Sequence, residues 1–243
     1  SQLIKNIDDY ENIDLKGIHV HLGSPIYSTG PYVQGLEKVY NFVQETLDEK
    51  GKQGIEFVNI GGGYCISYTG EQVKRPRDYA TDIIPLIKKL GCKVVMEPGR
   101  FIIGNAGILV TKTTYIKVAT WGKKFVICDA AMNDLARPSL YDAVHRAWPV
   151  NAAVPMPEVE LPGEEKGADD RLELVDIVGP VCESSDVLAK ERWFPDVKEG
   201  DLIAFFSAGA YGFTMSSSYN TRPRTCEILV DGDSFTTIRR RET

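Results

Sequence analysis

"KVVMEPGRFIIGNAGILVTKTTYIKVA" spans residues 93–119, and the character of the chain changes within it. The first part, "KVVMEPGR" (93–100), is a short apolar run closed by an acid, a Pro-Gly turn and an arginine. The last part, "AGILVTKTTYIKVA" (106–119), is a longer strand rich in β-branched residues. The break falls just after Arg100.

Upstream of the break, strand and helix signals alternate. "GIHVHLG" (17–23) reads as a strand running into a loop. "PYVQGLEKVYNFVQETLDEKG" (31–51) reads as a helix, with Val33, Leu36, Val39, Val43 and Leu47 near helical spacing, Pro31 in its first turn and Gly51 at its C-cap. "IEFVNIGGG" (55–63) is a second strand ending in three glycines. "DYATDIIPLIKKLG" (78–91) is a second helix, with Pro85 at a kink. "KVVMEPGR" is then a third strand. Strand-helix-strand-helix-strand predicts parallel pairing with right-handed crossovers.

Downstream, "KKFVICDA", "LELVDIVG", "DLIAFFSAG", "RTCEILVDGD" and "SFTTIRR" read as further strands separated by turns, which predicts an antiparallel β domain. The Pro- and acid-rich stretch at 154–170 reads as an exposed loop. The expected division is an α/β segment over 1–103 and a β domain over 104–243. Three parallel strands cannot close a barrel, which needs about 250 residues of this pattern. The α/β segment is therefore either a small open sheet or part of something longer.

The 243 residues carry a formal net charge of −6, with 43% hydrophobic and 26% charged residues. Such a balance argues against nucleic acid or an anionic membrane as partner. No apolar run reaches the length of a membrane span. Five cysteines without a C-x-x-C pair, behind a polar and acidic N-terminal stretch, predict a reduced compartment and no metal site. Four of them, 65, 92, 128 and 226, read as small apolar side chains; Cys182 sits beside Glu183 in "GPVCESSD" (179–186).

Three polar motifs close the three α/β strands. In "HVHLGS", His21 shares a strand face with His19, and Ser24 can donate to a phosphate. In "NIGGGY", Gly61, Gly62 and Gly63 allow backbone N–H groups to approach an anion. In "MEPGR", Glu97 can hold a ring nitrogen, and Arg100 can clamp a phosphate or carboxylate beside Pro98 and Gly99. Singly, each has an ordinary reading, and His21 alone reads first as a satisfied core histidine, the glycines as a flexible turn and Glu97 with Arg100 as a surface ion pair. At successive strand ends, where α/β sheets place their sites, they predict an anionic ligand with an aromatic ring. Farther on, Arg137 and Tyr141 fall on one helix face if that segment is helical. They are as readily a carboxylate grip as an ordinary surface patch. Tyr211 follows a strand on a glycine-flanked turn. Arg222 and Arg224 read as exposed.

These motifs in this order, together with "MNDLARPSLY" and "GAYGFTMSSSYNTRPR", resemble the fold-type III pyridoxal-phosphate-dependent decarboxylases, which are alanine-racemase-like. The resemblance runs from about Gly17 to the end of the chain. It implies the C-terminal part of a (β/α)8 barrel followed by an antiparallel β-barrel or sandwich domain, with pyridoxal 5'-phosphate as cofactor. His21 would stack on the pyridoxal ring. Ser24 and the three glycines would lie at its phosphate, Glu97 at its pyridinium nitrogen, and Arg100 near phosphate and substrate. Arg137 and Tyr141 resemble the grip on substrate carboxylate, and Tyr211 would reach both cofactor and substrate. Cys182 resembles the acid that protonates the carbanion after CO2 leaves; Glu183 resembles the acid that reads a distal ammonium.

Within the family, the pairing of Arg137 with Cys182-Glu183 favours a substrate bearing both a distal carboxylate and a distal ammonium, meso-2,6-diaminopimelate, which would yield L-lysine and CO2. The resemblance also implies a cytoplasmic homodimer with shared sites (or the plastid stroma, in a plant). The segment carrying the Schiff-base lysine, in the N-terminal half of the family barrel, has no counterpart here. Ser185 and Cys65 stand where the family usually has glycine. A non-catalytic binding homologue and a related amino-acid decarboxylase are the alternatives.

Overall fold

A computed structural model describes residues 6–47, 55–160, 162–163 and 169–243. The chain divides into two compact units, one formed by residues 1–66 and 72–102, the other by 67–71 and 103–243. Gly51 and part of the 154–170 stretch lie outside the described residues.

The first unit holds three short parallel strands, β1 (Gly17–His19), β2 (Phe57–Asn59) and β3 (Lys93–Val95), in the order β1-β2-β3. The connections are α1 (Gly30–Leu47) and α2 (Pro76–Leu90), as the alternating pattern predicts. Tyr32, Leu36, Val39 and Val43 form the buried stripe of α1, so the core face begins at Tyr32 rather than at the half-buried Val33. Tyr79 and Ile83 do the same for α2, and Val58 of the middle strand is fully buried in the same core. The second helix begins at Pro76, where a missing N–H costs nothing, and the Asp78 carboxylate accepts the Arg75 N–H at 2.8 Å. It ends on Gly91, left-handed at φ 68°, whose N–H reaches the Ile87 carbonyl. The first strand stops at His19, so His21 lies in the following loop and its direction does not follow the strand alternation expected for it.

The second unit is built on a six-stranded sheet of order β6-β9-β4-β5-β7-β8. Its strands are β4 (Leu109–Val118), β5 (Lys124–Cys128), β6 (Ala147–Pro149), β7 (Leu172–Val178), β8 (Val187–Pro195) and β9 (Leu202–Phe205). The expectation of an antiparallel domain is corrected here. The pair β5–β7 is parallel, which makes the sheet mixed. The connection over 129–171 is long enough to return the chain in the same direction, which a tight turn cannot do. The two sheet edges, β6 and β8, come together, so the sheet is nearly a closed barrel. Its interior is filled by Val126, Leu135, Trp148, Ile177, Leu188, Phe194 and Phe205, among others. Two strands, β6 and β8, escaped the sequence reading because neither carries a clean alternation. A hairpin, β10 (Glu227–Asp231) and β11 (Ser234–Arg239), follows.

The 154–170 stretch is not uniformly exposed: Val154 and Glu160 are buried. Arg222 and Arg224 are not free surface charges. Arg222 donates to the Asn133 amide oxygen at 2.9 Å and to the Asp129 carbonyl, and Arg224 pairs with Glu242. Cys65 and Cys128 are buried, Cys92 and Cys226 half-buried and Cys182 exposed; Cys226 precedes its strand rather than lying in it. Among the described residues no helix is long and apolar enough to cross a membrane.

Candidate active site

In the first unit, polar groups gather beyond the C-terminal ends of the three strands. Asn59, the last residue of β2, spans two neighbours. Its amide nitrogen donates to Glu97 Oε1 at 2.7 Å, and its oxygen accepts the Gly61 N–H at 2.9 Å. His19, the last residue of β1, places Nε2 3.8 Å from the same Glu97 oxygen. Glu97 is also held through its backbone, whose N–H donates to the Gly61 carbonyl at 2.9 Å. The carboxylate is thus oriented by a neighbouring strand end while its side chain remains half exposed. Sequence reading singled out Glu97 and His21 but missed Asn59; the signal available was a polar side chain ending an apolar strand immediately before three glycines.

The glycine turn is required by close packing. A Cβ on Gly62 would overlap the Glu97 carbonyl oxygen, and one on Gly63, at φ +97°, would overlap the Gly23 carbonyl. The Gly62 N–H points at His21 Nδ1, 3.4 Å away, which makes Nδ1 the acceptor in that contact. Behind the turn, the fully buried Tyr32 donates its hydroxyl to the Gly62 carbonyl at 2.5 Å. Tyr32, Tyr64 and Tyr79 pack ring against ring, with centroids 5.0–5.8 Å apart. Burial pushes the hydroxyl pKa values of Tyr32 and Tyr79 well above the ordinary phenol value, so both stay protonated donors. Tyr79 donates to the Ile26 carbonyl at 2.8 Å and lies 3.4 Å from the Cys65 thiol. The Cys65 side chain therefore fills core beneath the turn. Ser24 is exposed and lies in the same loop as His21; Pro98, Gly99 and Arg100 continue into α3 (Gly99–Ile103), with the Arg100 side chain half-buried.

In the second unit, α4 (Arg137–Tyr141) is the short helix that places Arg137 and Tyr141 one turn apart, with Pro138 in its first turn. The Arg137 guanidinium carbon lies 5.1 Å from the Tyr68 ring centroid, 5.6 Å from that of Tyr211 and 6.0 Å from that of Tyr141. Three aromatic faces thus surround one cation, the arrangement of favourable cation–π contact. Tyr68 was not anticipated; its ring comes from residues far away in sequence. Tyr211 is presented at φ 63° on the turn after β9.

Cys182 and Glu183 occupy the loop between β7 and β8, and both are exposed. The loop is held by Asp186, buried at its base. The Asp186 carboxylate accepts the Met132 N–H at 2.6 Å and the Val181 N–H at 2.7 Å. Burial raises the Asp186 carboxyl pKa, and these two N–H groups pull against that. A Cβ on Gly179 would overlap the Asp186 carboxylate, so the residue before Pro180 must be glycine. Ser139, on α4, donates to the Ser185 carbonyl at 2.6 Å and ties the Arg137 helix to this loop. Glu183 receives the Tyr219 hydroxyl at 3.4 Å. Among the described residues no group of three His, Cys, Asp or Glu side chains is placed to hold a metal ion.

The first unit thus carries a half-exposed carboxylate fixed beside a glycine turn, with His19 at a neighbouring strand end; the second, taken by itself, is a mixed β barrel carrying an arginine among tyrosine rings and an exposed thiol and acid. Residues 18–209 match the family model "Pyridoxal-dependent decarboxylase, C-terminal sheet domain", and the chain belongs to that family. It is 43% identical over 233 residues to diaminopimelate decarboxylase of Aquifex aeolicus, an alignment covering 96% of this chain and 51% of that protein. The solved diaminopimelate decarboxylase of M. jannaschii in co-complex with L-lysine superposes with a TM-score of 0.85 at 35% identity, covering 100% of this chain and 53% of the other. The corresponding enzyme of Helicobacter pylori complexed with L-lysine gives 0.85 at 32%, covering 100% and 56%. The chain thus spans about half the length of the relatives it matches.

Proposed function

We propose that this chain supplies the C-terminal portion of a pyridoxal-phosphate-dependent decarboxylase that converts meso-2,6-diaminopimelate to L-lysine and CO2. The first unit is then the C-terminal part of a (β/α)8 barrel completed by the segment the longer relatives have, and the second is the β domain that follows it. The observation that carries the substrate assignment is the Arg137 guanidinium held among three tyrosine rings, on a unit whose other loop exposes Cys182 and Glu183. Diaminopimelate needs a cation for its distal carboxylate and an anion for its distal ammonium. Substrates such as ornithine lack the carboxylate.

The residues present fit the cofactor. Glu97, aimed by the Asn59 amide and half exposed beside the glycine turn, is the anion suited to keep a ring nitrogen protonated. Bound there, pyridoxal phosphate supplies the electron sink for loss of CO2. Ser24, Gly61, Gly62, Gly63 and Arg100 would hold its phosphate, with Pro98 and Gly99 shaping the turn that presents Arg100. His21 would cover the ring, and Asn59 would keep Glu97 aimed. Arg137 and Tyr141 hold substrate carboxylate, Tyr211 adds a hydroxyl, Glu183 takes the ammonium, and Cys182 returns the proton. The exposure of Cys182 and Glu183 supports a homodimer in which this loop serves the partner's site.

The test uses the full-length enzyme. Arg137→Ala should lower kcat/KM for meso-diaminopimelate by about 10- to 100-fold, the worth of one charge-assisted contact, while bound-cofactor absorbance is retained. Parallel loss of absorbance and activity would place Arg137 with the cofactor and sink the assignment.

A further inference from the structure

Tyr68 lies outside every motif that motivated the functional reading, yet of the three rings around the Arg137 guanidinium described above it is the nearest, at 5.1 Å. The tyrosine is 9% exposed, against 61% for Tyr141 and 37% for Tyr211. Its segment is pinned on all sides within the second unit. The Arg146 N–H donates to the Tyr68 carbonyl at 3.2 Å, and the Glu160 N–H to the Thr69 carbonyl at 2.8 Å. The Ser207 hydroxyl donates to the Ser67 carbonyl at 3.1 Å. Glu71 closes the turn, accepting the Thr69 hydroxyl at 2.6 Å and the Thr69 N–H at 2.8 Å. Behind the ring stands His145, fully buried, edge-on to Tyr68 with centroids 5.1 Å apart. The His145 Nδ1 lies 2.9 Å from the Phe206 carbonyl, at the root of the turn that carries Tyr211.

We infer that Tyr68, backed by His145, is the positioning residue that fixes the Arg137 guanidinium for a substrate carboxylate. A mobile arginine must lose side-chain freedom when it grips an anion, whereas one already held against a rigid π face has lost it beforehand. Of the three rings Tyr68 is the most buried, so it serves as the floor, and the more exposed Tyr141 and Tyr211 are the walls. The guanidinium lies over the Tyr68 ring face. This inference rests on the reading of Arg137 as the carboxylate grip.

The experiment replaces residue 68 by Phe and then by mono-, di- and trifluorophenylalanine, which weaken the ring quadrupole without changing its shape. In the 243-residue chain, the Arg137 Nε–H resonance is assigned by its loss in Arg137→Lys, and its ring-current shift and guanidinium rotation rate are followed. Tyr68→Phe should match the unmodified protein, and rotation should quicken stepwise with fluorination. In the full-length enzyme, KM for meso-diaminopimelate should rise about 3- to 30-fold across the series, with kcat and cofactor absorbance unchanged. No trend in rotation, or full loss already in Tyr68→Phe, overturns the inference. A rotation trend with a flat KM leaves Tyr68 as the floor of Arg137 and overturns the assignment of Arg137 to substrate.

Discussion

Glu160 and Arg192 form an ion pair of 2.9 Å with both side chains buried, 5% and 2% exposed, where the two edges of the β barrel meet. Arg192 projects from β8 at one edge. The Glu160 carboxylate also accepts the N–H of Ala147, the first residue of β6 at the other edge. Arg192 in turn donates to the His145 carbonyl at 3.3 Å. The seam that backbone pairing leaves open is therefore joined by one carboxylate and one guanidinium. Burial pushes the Glu160 carboxyl pKa up, and Arg192 opposes it.

Removing one member should leave a buried charge without its partner. Glu160→Leu and Arg192→Met should each destabilise the second unit by about 3–5 kcal/mol, and the double variant combining the two should lose clearly less than the sum. Urea unfolding of the three variants measures this. Additive losses would mean that the seam does not depend on the pair.

Glu71 gives the protein a pH dependence of defined sign. Burial raises its carboxyl pKa, but the Thr69 hydroxyl and the N–H groups of Thr69, Tyr68 and Glu71 together bring it below the usual value of 4.5. A carboxyl with a depressed folded pKa contributes stability that is present above its unfolded pKa and lost as pH falls through the folded value. Glu71→Gln should therefore lower Tm at pH 7, and the gap to the parent protein should shrink below pH 4.5. A gap that stays constant from pH 7 to pH 3 would count against the carboxylate's role in holding the Tyr68 turn.

The exposed loop makes a third expectation. In the proposed full-length homodimer, Cys182→Ala should slow turnover by about 10²- to 10⁴-fold, the range for a positioned acid, with the cofactor still bound. Glu183→Gln should raise KM by weakening the hold on the distal ammonium. Mixing Cys182→Ala subunits with subunits lacking the Schiff-base lysine should restore part of the activity, because one site of the mixed dimer would draw both groups intact. No recovery in verified mixed dimers would assign the loop to its own subunit.

Much of this protein is written locally. Alternating strand and helix signals up to Arg100, and turn-punctuated strands after it, gave the two kinds of architecture, because side-chain periodicity directly reports which face of an element is buried. The strand-end motifs were legible for a similar reason. Close approach tolerates only glycine at Gly62, and a lone acid after an apolar strand is conspicuous at Glu97. What could not be read was whatever depends on partners distant in the chain. Parallel pairing of β5 with β7 follows from how the 129–171 connection returns, and β8, with the buried Arg192 in its middle, breaks the pattern by which strands are recognised. Glu160 looked like one acid in a solvent-exposed run until Arg192 was brought against it from 32 residues away. Tyr68 looked like any aromatic residue after a glycine turn. Its place under Arg137 depends on the backbone hydrogen bonds at Ser67 and Thr69 and on the ring of His145. Single residues set local conformation and chemical type; only the folded chain decides which charge a buried group meets, since burial makes an unpaired charge too costly to keep.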